Sequence, residues 1–158
     1  MGKVIVVVVI LVIVVLFYFR SNTNKEAANL NKQEGETFLN NNRNVEGVIE
    51  TDSGLQYIVL NKGEGTIHPK SSDKVKVHYH GTLLNGTVFD SSVDRNQPIS
   101  FGLNQVIKGW TEGVQLMVVG DKFKFFIPSY LAYGNRSAGK ITPASTLIFE
   151  VELLGINE

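Results

Sequence analysis

The sequence contains no cysteine and only four prolines in 158 residues. The lack of cysteine excludes disulfide bonds, catalytic thiolates and zinc sites built on cysteine. Neither sign of charge is in excess, because residues 1–50 carry five basic and five acidic side chains and residues 51–158 carry ten of each. Binding along a nucleic-acid backbone needs clustered positive charge. This balance therefore argues against nucleic acid as a partner.

Motifs for nucleophilic chemistry are also missing. Ser91 and Ser92 lack the glycine setting of a nucleophile elbow. Asp90, Asp94 and Arg95 follow a predicted strand, and a pair of carboxylates can act in acid–base catalysis. Because no nucleophile accompanies them, we interpret this cluster as a loop held by an Asp–Arg pair. The sequence predicts no cofactor.

The histidines offer only half of a metal site. His78 and His80 alternate on one face of a predicted strand, as two ligands would. Lys74 and Lys76 share that face and would repel a cation, and no third ligand is evident. We therefore interpret the face as solvated and predict no metal.

One long apolar run stands out near the N-terminus. Residues 4–19 form sixteen consecutive apolar or aromatic residues between Lys3 and Arg20. This is close to the lower length limit for a membrane-spanning helix, and no small-residue cleavage pattern follows it. We predict an uncleaved transmembrane signal-anchor over residues 1–20, with a cleaved signal peptide as the alternative. As a first hydrophobic segment, it would insert as a single span and place the globular part outside the cytoplasm.

Residues 21–49 form a predicted polar linker. Eight asparagines lie between residues 21 and 44, and asparagine disfavours helix interiors. Sparse apolar positions over residues 25–39 allow a short helix, either within a solvated spacer or as a dimerisation helix. We favour the spacer because the apolar stripe is incomplete. The sequence leaves the oligomeric state open.

Residues 50–158 carry the pattern of a β-rich domain. Alternating apolar and polar residues predict strands over residues 55–60, 74–80, 88–90, 122–127 and 146–154. The Asn85-Gly86 pair predicts a hairpin, and apolar residues at helical spacing predict one short helix over residues 106–117. We therefore predict an α+β fold, with a twisted antiparallel β-sheet wrapped around one short α-helix. The N-terminal transmembrane helix would precede this domain.

Aromatic side chains recur through the second half of this domain. Phe89, Phe101, Trp110, Tyr133 and Phe149 exceed what one short helix needs as packing partners. Each of them alone is more typical of a hydrophobic core. Together they indicate a cavity lined by aromatic rings that binds an apolar group.

Six sequence blocks resemble the FKBP-type peptidyl-prolyl cis-trans isomerases. They are VHYHGTL at 77–83, GTVFDSS at 86–92, QVIKGW at 105–110, IP at 127–128, LAYG at 131–134 and LIFEVEL at 147–153. Further segments, at 35–39, 46–48 and 53–57, resemble the bacterial Mip-like branch of that family.

The resemblance implies a role for each site residue. The catalytic positions are Tyr79, Phe89, Asp90, Ile107, Trp110, Tyr133 and Phe149. Trp110 would form the pocket floor, the backbone N–H of Ile107 and the hydroxyl of Tyr133 would hold ligand carbonyls, and Arg95 would pair with Asp90. The remaining substrate-binding positions are Ile99, Phe101, Val106 and Ile141.

Four positions depart from the family pattern. Ile99 replaces a frequent phenylalanine, and Gln105 replaces a frequent glutamate. Lys140 and Thr142 replace residues that are commonly apolar or proline in the loop before the last strand. These changes bear on substrate range and on affinity for macrolides.

The implied function is cis–trans isomerisation of X–Pro bonds during protein folding. The pocket would stabilise the twisted amide without covalent chemistry, which requires no metal and no cofactor. The implied partners are proline-containing polypeptides, and macrolide inhibitors of the family are expected ligands. The alternative is a non-catalytic binding module or chaperone for apolar or proline-bearing segments.

Overall fold

The computed structural model describes the backbone of residues 2–158 and the side chains of residues 13, 15–17 and 20–158. Within these residues it contains two α-helices and seven β-strands. The elements are, in chain order, α1 (Gly2–Asn42), β1 (Ile49–Glu50), β2 (Gln56–Asn61), β3 (Lys74–Leu83), β4 (Val88–Ser91), β5 (Ile99–Gly102), α2 (Lys108–Val114), β6 (Lys122–Ile127) and β7 (Leu147–Ile156).

All the strands belong to one antiparallel sheet. Six of them follow the order β1-β2-β6-β7-β3-β4. The fifth strand, β5, pairs with the first half of β3, whereas β4 pairs with its second half. Two short strands therefore share one edge of β3, and the chain between them, residues 92–98, leaves the sheet beside the C-terminal half of β3.

The long central strands place their apolar residues on the face that forms the core. In β3, Val75, Val77 and Tyr79 are buried. In the neighbouring β7, every second residue is buried, beginning at Leu147. A period of two puts such residues on one face of a strand, so the alternation in the sequence correctly predicted which face is covered.

Helix α2 packs against β6 at very short range. A Cβ atom on Gly109 would lie 2.5 Å from Ile127, and one on Gly113 would lie 2.6 Å from the ring of Phe125. Glycine costs a helix about 1 kcal/mol relative to alanine. Here the two glycines let the helix backbone approach the sheet, and tertiary packing holds a helix of seven residues in place.

The predicted antiparallel sheet and its short helix are confirmed. The five predicted strands correspond to β2, β3, β4, β6 and β7, and the predicted helix corresponds to α2. The Asn85-Gly86 hairpin joins β3 to β4, with Gly86 at a φ of 85°. Strands β1 and β5 were not predicted. Strand β1 has only two residues, and β5 has no neighbouring hairpin signal of the kind that marks β4, a strand of the same length.

Residues 21–42 of the predicted linker are more helical than the short helix that the sequence allowed. They continue α1 as an unbroken helix, and its C-terminal end packs on the sheet. The rings of Phe38 and Phe126 lie 5.7 Å apart. The amide of Asn42 donates to Gln56 at 2.8 Å, and the amide of Gln56 donates to the Leu39 carbonyl at 2.9 Å. These contacts overcome the weak helix propensity of the asparagines.

The predicted transmembrane helix, residues 1–20, lies largely outside the residues whose side chains are described. Its backbone from Gly2 onward is helical and continuous with the rest of α1. In the described part of the chain, no helix combines the length and the apolar character needed to cross a membrane.

Candidate active site

A cavity of about 960 Å³ opens on the core face of the domain. It collects residues from β3, β4, β5, α2, β7 and the loop after β6. The lining includes eleven of the twelve predicted site residues, namely Tyr79, Phe89, Asp90, Ile99, Phe101, Val106, Ile107, Trp110, Tyr133, Ile141 and Phe149. The twelfth, Arg95, contacts the lining through Asp90.

Trp110 of α2 lies among aromatic rings at the base of this cavity. Its ring centroid is 5.1 Å from Phe149, 5.3 Å from Tyr79 and 5.4 Å from Phe101. Two of these contacts are edge-to-face, the arrangement that aromatic quadrupoles favour. The indole N–H is buried and has no hydrogen-bond partner among the described residues. The indole thus forms a rigid, apolar base.

The sheet side of the cavity depends on a missing side chain. Gly81 of β3 lies opposite Asp90 in β4 and Phe149 in β7. A Cβ atom at Gly81 would lie 2.7 Å from the Phe89 ring and 2.8 Å from the Phe149 ring. Glycine therefore lets these rings meet edge-to-face across the strand, with centroids 5.2 Å apart.

A hydrogen-bonded triad closes the polar corner of the cavity. The Tyr79 hydroxyl donates to one oxygen of Asp90, and the Arg95 guanidinium donates to the other oxygen and, at 3.2 Å, to the Tyr79 hydroxyl. Burial raises the pKa of Tyr79, and so does its bond to Asp90. Partial burial acts to raise the pKa of Asp90, but the bonds from Tyr79 and Arg95 outweigh it and lower that pKa.

The triad therefore holds Asp90 as an ionised hydrogen-bond acceptor at neutral pH. A carboxylate with a lowered pKa, already bonded on both oxygens, is poorly suited to proton transfer. The predicted pairing of Asp90 with Arg95 is confirmed. In the structure, the Asp90–Arg95 pair fixes the orientation of Tyr79 at the cavity wall.

The loop side of the cavity presents hydrogen-bond donors. Ile107 precedes the first turn of α2, and its N–H donates to no backbone acceptor in the described chain. The Tyr133 hydroxyl likewise bonds no described residue. Both residues are only half-buried. Two donors on one side of an apolar cavity can hold the carbonyl groups of a bound chain.

Sequence reasoning missed part of this loop side. Tyr130, Asn135, Arg136 and Ala138 also line the cavity. Tyr130 is anchored by its hydroxyl, which donates to the Ser53 carbonyl at 2.8 Å. The loop has no periodic pattern, and Tyr133 and Ile141 were found in it only through the resemblance to a family. Gly134, with a φ of 58°, shows how the backbone turns there.

The two histidines contact Ser91, the last residue of β4, and Ser92, which follows it. Nδ1 of His78 lies 2.6 Å from the Ser92 hydroxyl, and Nδ1 of His80 lies 2.8 Å from the Ser91 hydroxyl. Neither histidine lines the cavity. Among the described residues, no group of three potential ligands is placed to hold a metal ion.

One antiparallel sheet, a short helix packed on it and a cavity lined by aromatic rings define an α+β protein with a site suited to apolar groups. The chain belongs to the family of FKBP-type peptidyl-prolyl cis-trans isomerases, because the model of that family matches residues 65–154. The model described as the domain amino terminal to FKBP-type peptidyl-prolyl isomerase matches residues 16–59. The predicted family is confirmed.

Individual relatives agree with this assignment. The chain is 59% identical over 128 residues to an FKBP-type peptidyl-prolyl cis-trans isomerase FkpA from Aeromonas hydrophila, an alignment that covers 81% of this chain and 47% of the relative. It is 44% identical over 140 residues to the outer membrane protein MIP of Legionella longbeachae, with 88% of this chain and 60% of the relative covered. The chain thus spans about half to three fifths of these relatives' length.

The fold agrees as well. The crystal structure of FkpA from Escherichia coli matches with a TM-score of 0.82 at 38% identity, and the match covers 92% of this chain and 71% of that chain. The FKBP-like fold is therefore shown. The chain is close to FkpA and MIP proteins, and the MIP relative agrees with the Mip-like branch that the sequence resembles.

Proposed function

We propose that this chain catalyses the cis–trans isomerisation of X–Pro peptide bonds. One observation carries the proposal: the aromatic cavity combines an indole base with two donors that bond no described residue, the N–H of Ile107 and the hydroxyl of Tyr133. The names of its relatives, FKBP-type peptidyl-prolyl cis-trans isomerases, support the same activity. The substrates would be proline-containing polypeptide chains.

Isomerisation of an X–Pro bond requires no covalent chemistry from the protein. Rotation about the amide must overcome about 18–20 kcal/mol, because it breaks amide resonance. Catalysis requires that the site bind the twisted amide more tightly than the planar one. An acceleration of about 10³ corresponds to about 4 kcal/mol of such differential binding. Shape and fixed hydrogen bonds can supply that amount.

Each group of residues in the cavity would have its own role in binding the twisted amide. The proline ring would pack on Trp110 between the rings of Tyr79 and Phe149. The Ile107 N–H and the Tyr133 hydroxyl would each donate a hydrogen bond to a carbonyl oxygen of the bound chain. Asp90 and Arg95 would keep Tyr79 in place. The twisted amide then lies among groups whose positions are set before the substrate arrives.

A protease-coupled assay tests the activity. The full chain, in a neutral detergent, is mixed with short Xaa-Pro peptides, and the cis fraction is followed as the protease consumes the trans form. We expect exchange far faster than the uncatalysed tens of seconds. Peptide binding without acceleration would instead indicate a binding module, and competition by a macrolide would locate that binding in the cavity.

We also propose that residues 1–20 anchor the chain in a membrane as a single span. The support is the sequence itself, with sixteen apolar or aromatic residues between Lys3 and Arg20. Residues 21–49 would join the anchor to an isomerase domain over residues 50–158. The proposed place is a bacterial inner membrane with the domain in the periplasm.

Alkaline carbonate extraction of bacterial membranes tests the anchor, and protease treatment of spheroplasts tests its orientation. We expect the chain to stay in the membrane pellet and its domain to be digested in intact spheroplasts. Release into the supernatant would contradict the anchor. Protection of the domain would contradict the periplasmic placement.

A further inference from the structure

A second cavity, of about 890 Å³, runs between α1 and the loop that precedes β7. Among the residues that line it are Arg20, Lys25 and Lys32 from the helix and Asn135, Arg136 and Pro143 from the loop. We call this cavity the basic groove.

The basic groove meets the active-site cavity. Asn135 and Arg136 line both of them, and both residues are exposed. Tyr133 lies two residues before Asn135 and lines the active-site cavity. A polypeptide that leaves the active-site cavity past Tyr133 therefore reaches the groove directly.

The size of the groove suits an extended chain. Outside the proposed anchor, its helical side runs from Ser21 to Lys32, which corresponds to about 16 Å at 1.5 Å per residue. An extended polypeptide rises about 3.3 Å per residue, so about five residues would fill this length. The groove is long enough to bind the segment that flanks a bound proline.

The electrostatic character of the groove is one-sided. Of the described residues that line it, four are basic and none is acidic. Within the described chain, no ion pair joins Arg20, Lys25 or Arg136 to a carboxylate. Lys32 pairs with Glu36 at 3.9 Å, but both side chains are about two-thirds exposed, at 66% and 63%. Such a pair is weak, so the groove keeps a positive potential.

The two sides of the groove are tied together. The side-chain amide of Asn31 on α1 donates to the Thr142 hydroxyl at 2.9 Å and to the Pro143 carbonyl at 2.7 Å. Thr142 is one of the positions where this chain departs from the family pattern. Here that departure supplies an acceptor that fixes the loop to the helix.

We propose that the basic groove is an extended substrate subsite that selects acidic residues beside the isomerised proline. Lys25, Lys32 and Arg136 are its specificity-determining residues. The proposal rests on the isomerase function proposed above, and it adds a preference that the active-site cavity alone does not provide. Carboxylates on the flanking segment would replace water at these cations, and the preference would fall with rising salt.

Peptides with one Leu-Pro bond and flanks long enough to span the groove test this proposal. Three versions carry glutamate, glutamine or lysine at the same flanking positions, on either side of the proline. Exchange is measured by NMR with the full chain in a neutral detergent. We expect kcat/KM to decrease from glutamate to glutamine to lysine by about threefold to tenfold per step, as for a few exposed charge pairs.

The double variant Lys25→Gln/Lys32→Gln removes charge from the groove. We expect it to lose most of the preference for glutamate and to retain the wild-type rate on a tetrapeptide too short to reach the groove. The matched control, Lys62→Gln/Lys76→Gln, removes the same charge from the exposed surface outside both cavities. It should keep the preference. Equal ratios in wild type and groove variant would overturn the proposal.

Two further readouts separate the proposals from each other. Titration calorimetry with the same three peptides reports the charge preference even where no acceleration occurs, so an inactive chain that prefers glutamate rejects only the isomerase function. Binding to vesicles of phosphatidylcholine with and without phosphatidylglycerol tests lipid headgroups as the occupant. Loss of the phosphatidylglycerol dependence in the groove variant, with peptide preference unchanged, would overturn the subsite.

Discussion

The active-site cavity has two sides that are built differently. On the sheet wall, which we define as Tyr79, Phe89 and Phe149, the residues lie on paired strands. On the loop wall, which we define as Ile107 and Tyr133, the residues lie in connecting segments. Tyr79 and Phe149 are each only 5% exposed, whereas Ile107 and Tyr133 are half-buried.

This difference separates two kinds of residue. Sheet-wall side chains belong to the hydrophobic core and to the site at once, so a change there affects stability and binding together. The N–H of Ile107 and the hydroxyl of Tyr133 bond no residue in the described part of the chain, so removing one of these donors should affect the bound ligand more than the fold. Substitutions in one wall at a time therefore measure how far stability and ligand binding can be separated.

The largest effect is expected from Phe149→Ala on the sheet wall. Phe149 contacts the rings of Tyr79, Phe89 and Trp110. Its loss removes these contacts and leaves a cavity, so we expect the free energy of unfolding to fall by about 3–4 kcal/mol. Urea unfolding measures the stability, and titration with an apolar ligand measures binding, which should weaken at least tenfold.

Phe123→Ala is the matched control for this change. Phe123 is also 5% exposed but lies outside the cavity, where it stacks on Tyr57. It should lose similar stability and keep the affinity for the ligand. Equal loss of affinity in both variants would mean that binding depends on stability and not on the sheet wall.

Tyr79→Phe should have a smaller effect. It removes the hydroxyl that donates to Asp90 and accepts from Arg95. A hydrogen bond to a charged group contributes about 1.5 kcal/mol or somewhat more, and we expect a loss of about that size in urea unfolding. A double-mutant cycle with Asp90→Asn isolates the pair. Additive losses would show that the bond does not contribute.

Tyr133→Phe on the loop wall should change activity without changing stability. The hydroxyl bonds no described residue, so we expect the free energy of unfolding to stay within about 0.5 kcal/mol. Loss of one bond to a ligand carbonyl should reduce kcat/KM about threefold to tenfold. Tyr57→Phe, outside the cavity, is the control. Wild-type kcat/KM in Tyr133→Phe would mean that the Tyr133 hydroxyl does not bond the substrate.

The same two walls explain what the sequence could predict. Val75, Val77 and Tyr79 alternate along β3, and a period of two determines which side chains share a face. The buried face that carries Tyr79 was therefore visible in the sequence, whereas the role of Tyr79, Phe89 and Phe149 at the cavity came from resemblance to a family. The donors of the loop wall came from resemblance to a family, and Tyr130, Asn135, Arg136 and Ala138 were missed, because irregular loops carry no periodic signal.

Helix α1 shows a second limit of sequence reasoning. The asparagines of residues 21–44 disfavour a helix locally, but Phe38 packs on Phe126 and Asn42 bonds Gln56. These partners are distant in sequence or lie in another element, so local propensity could not reveal them. Tertiary contacts routinely override such weak preferences.

The smallest effect concerns pH and the polar corner of the sheet wall. Partial burial favours the protonated form of Asp90, but bonds from Tyr79 and Arg95 lower its pKa below the ordinary value. A lowered pKa stabilises the fold above the unfolded-state pKa of about 3.9, and this contribution is lost as pH falls through the folded-state pKa. Because the Asp90 side chain is 45% exposed, water screens the pair, and we expect about 0.2–1 kcal/mol.

Urea unfolding of the wild type and of Asp90→Asn between pH 7 and pH 2 measures this contribution. The wild type should be the more stable protein at neutral pH, and the gap should narrow as Asp90 becomes protonated. Asp73 also has a lowered pKa, through bonds from Lys70 and Asn157, and Asp73→Asn reports that separate titration. A gap for Asp90→Asn that stays constant down to pH 2 would mean that the carboxylate charge does not stabilise the sheet wall.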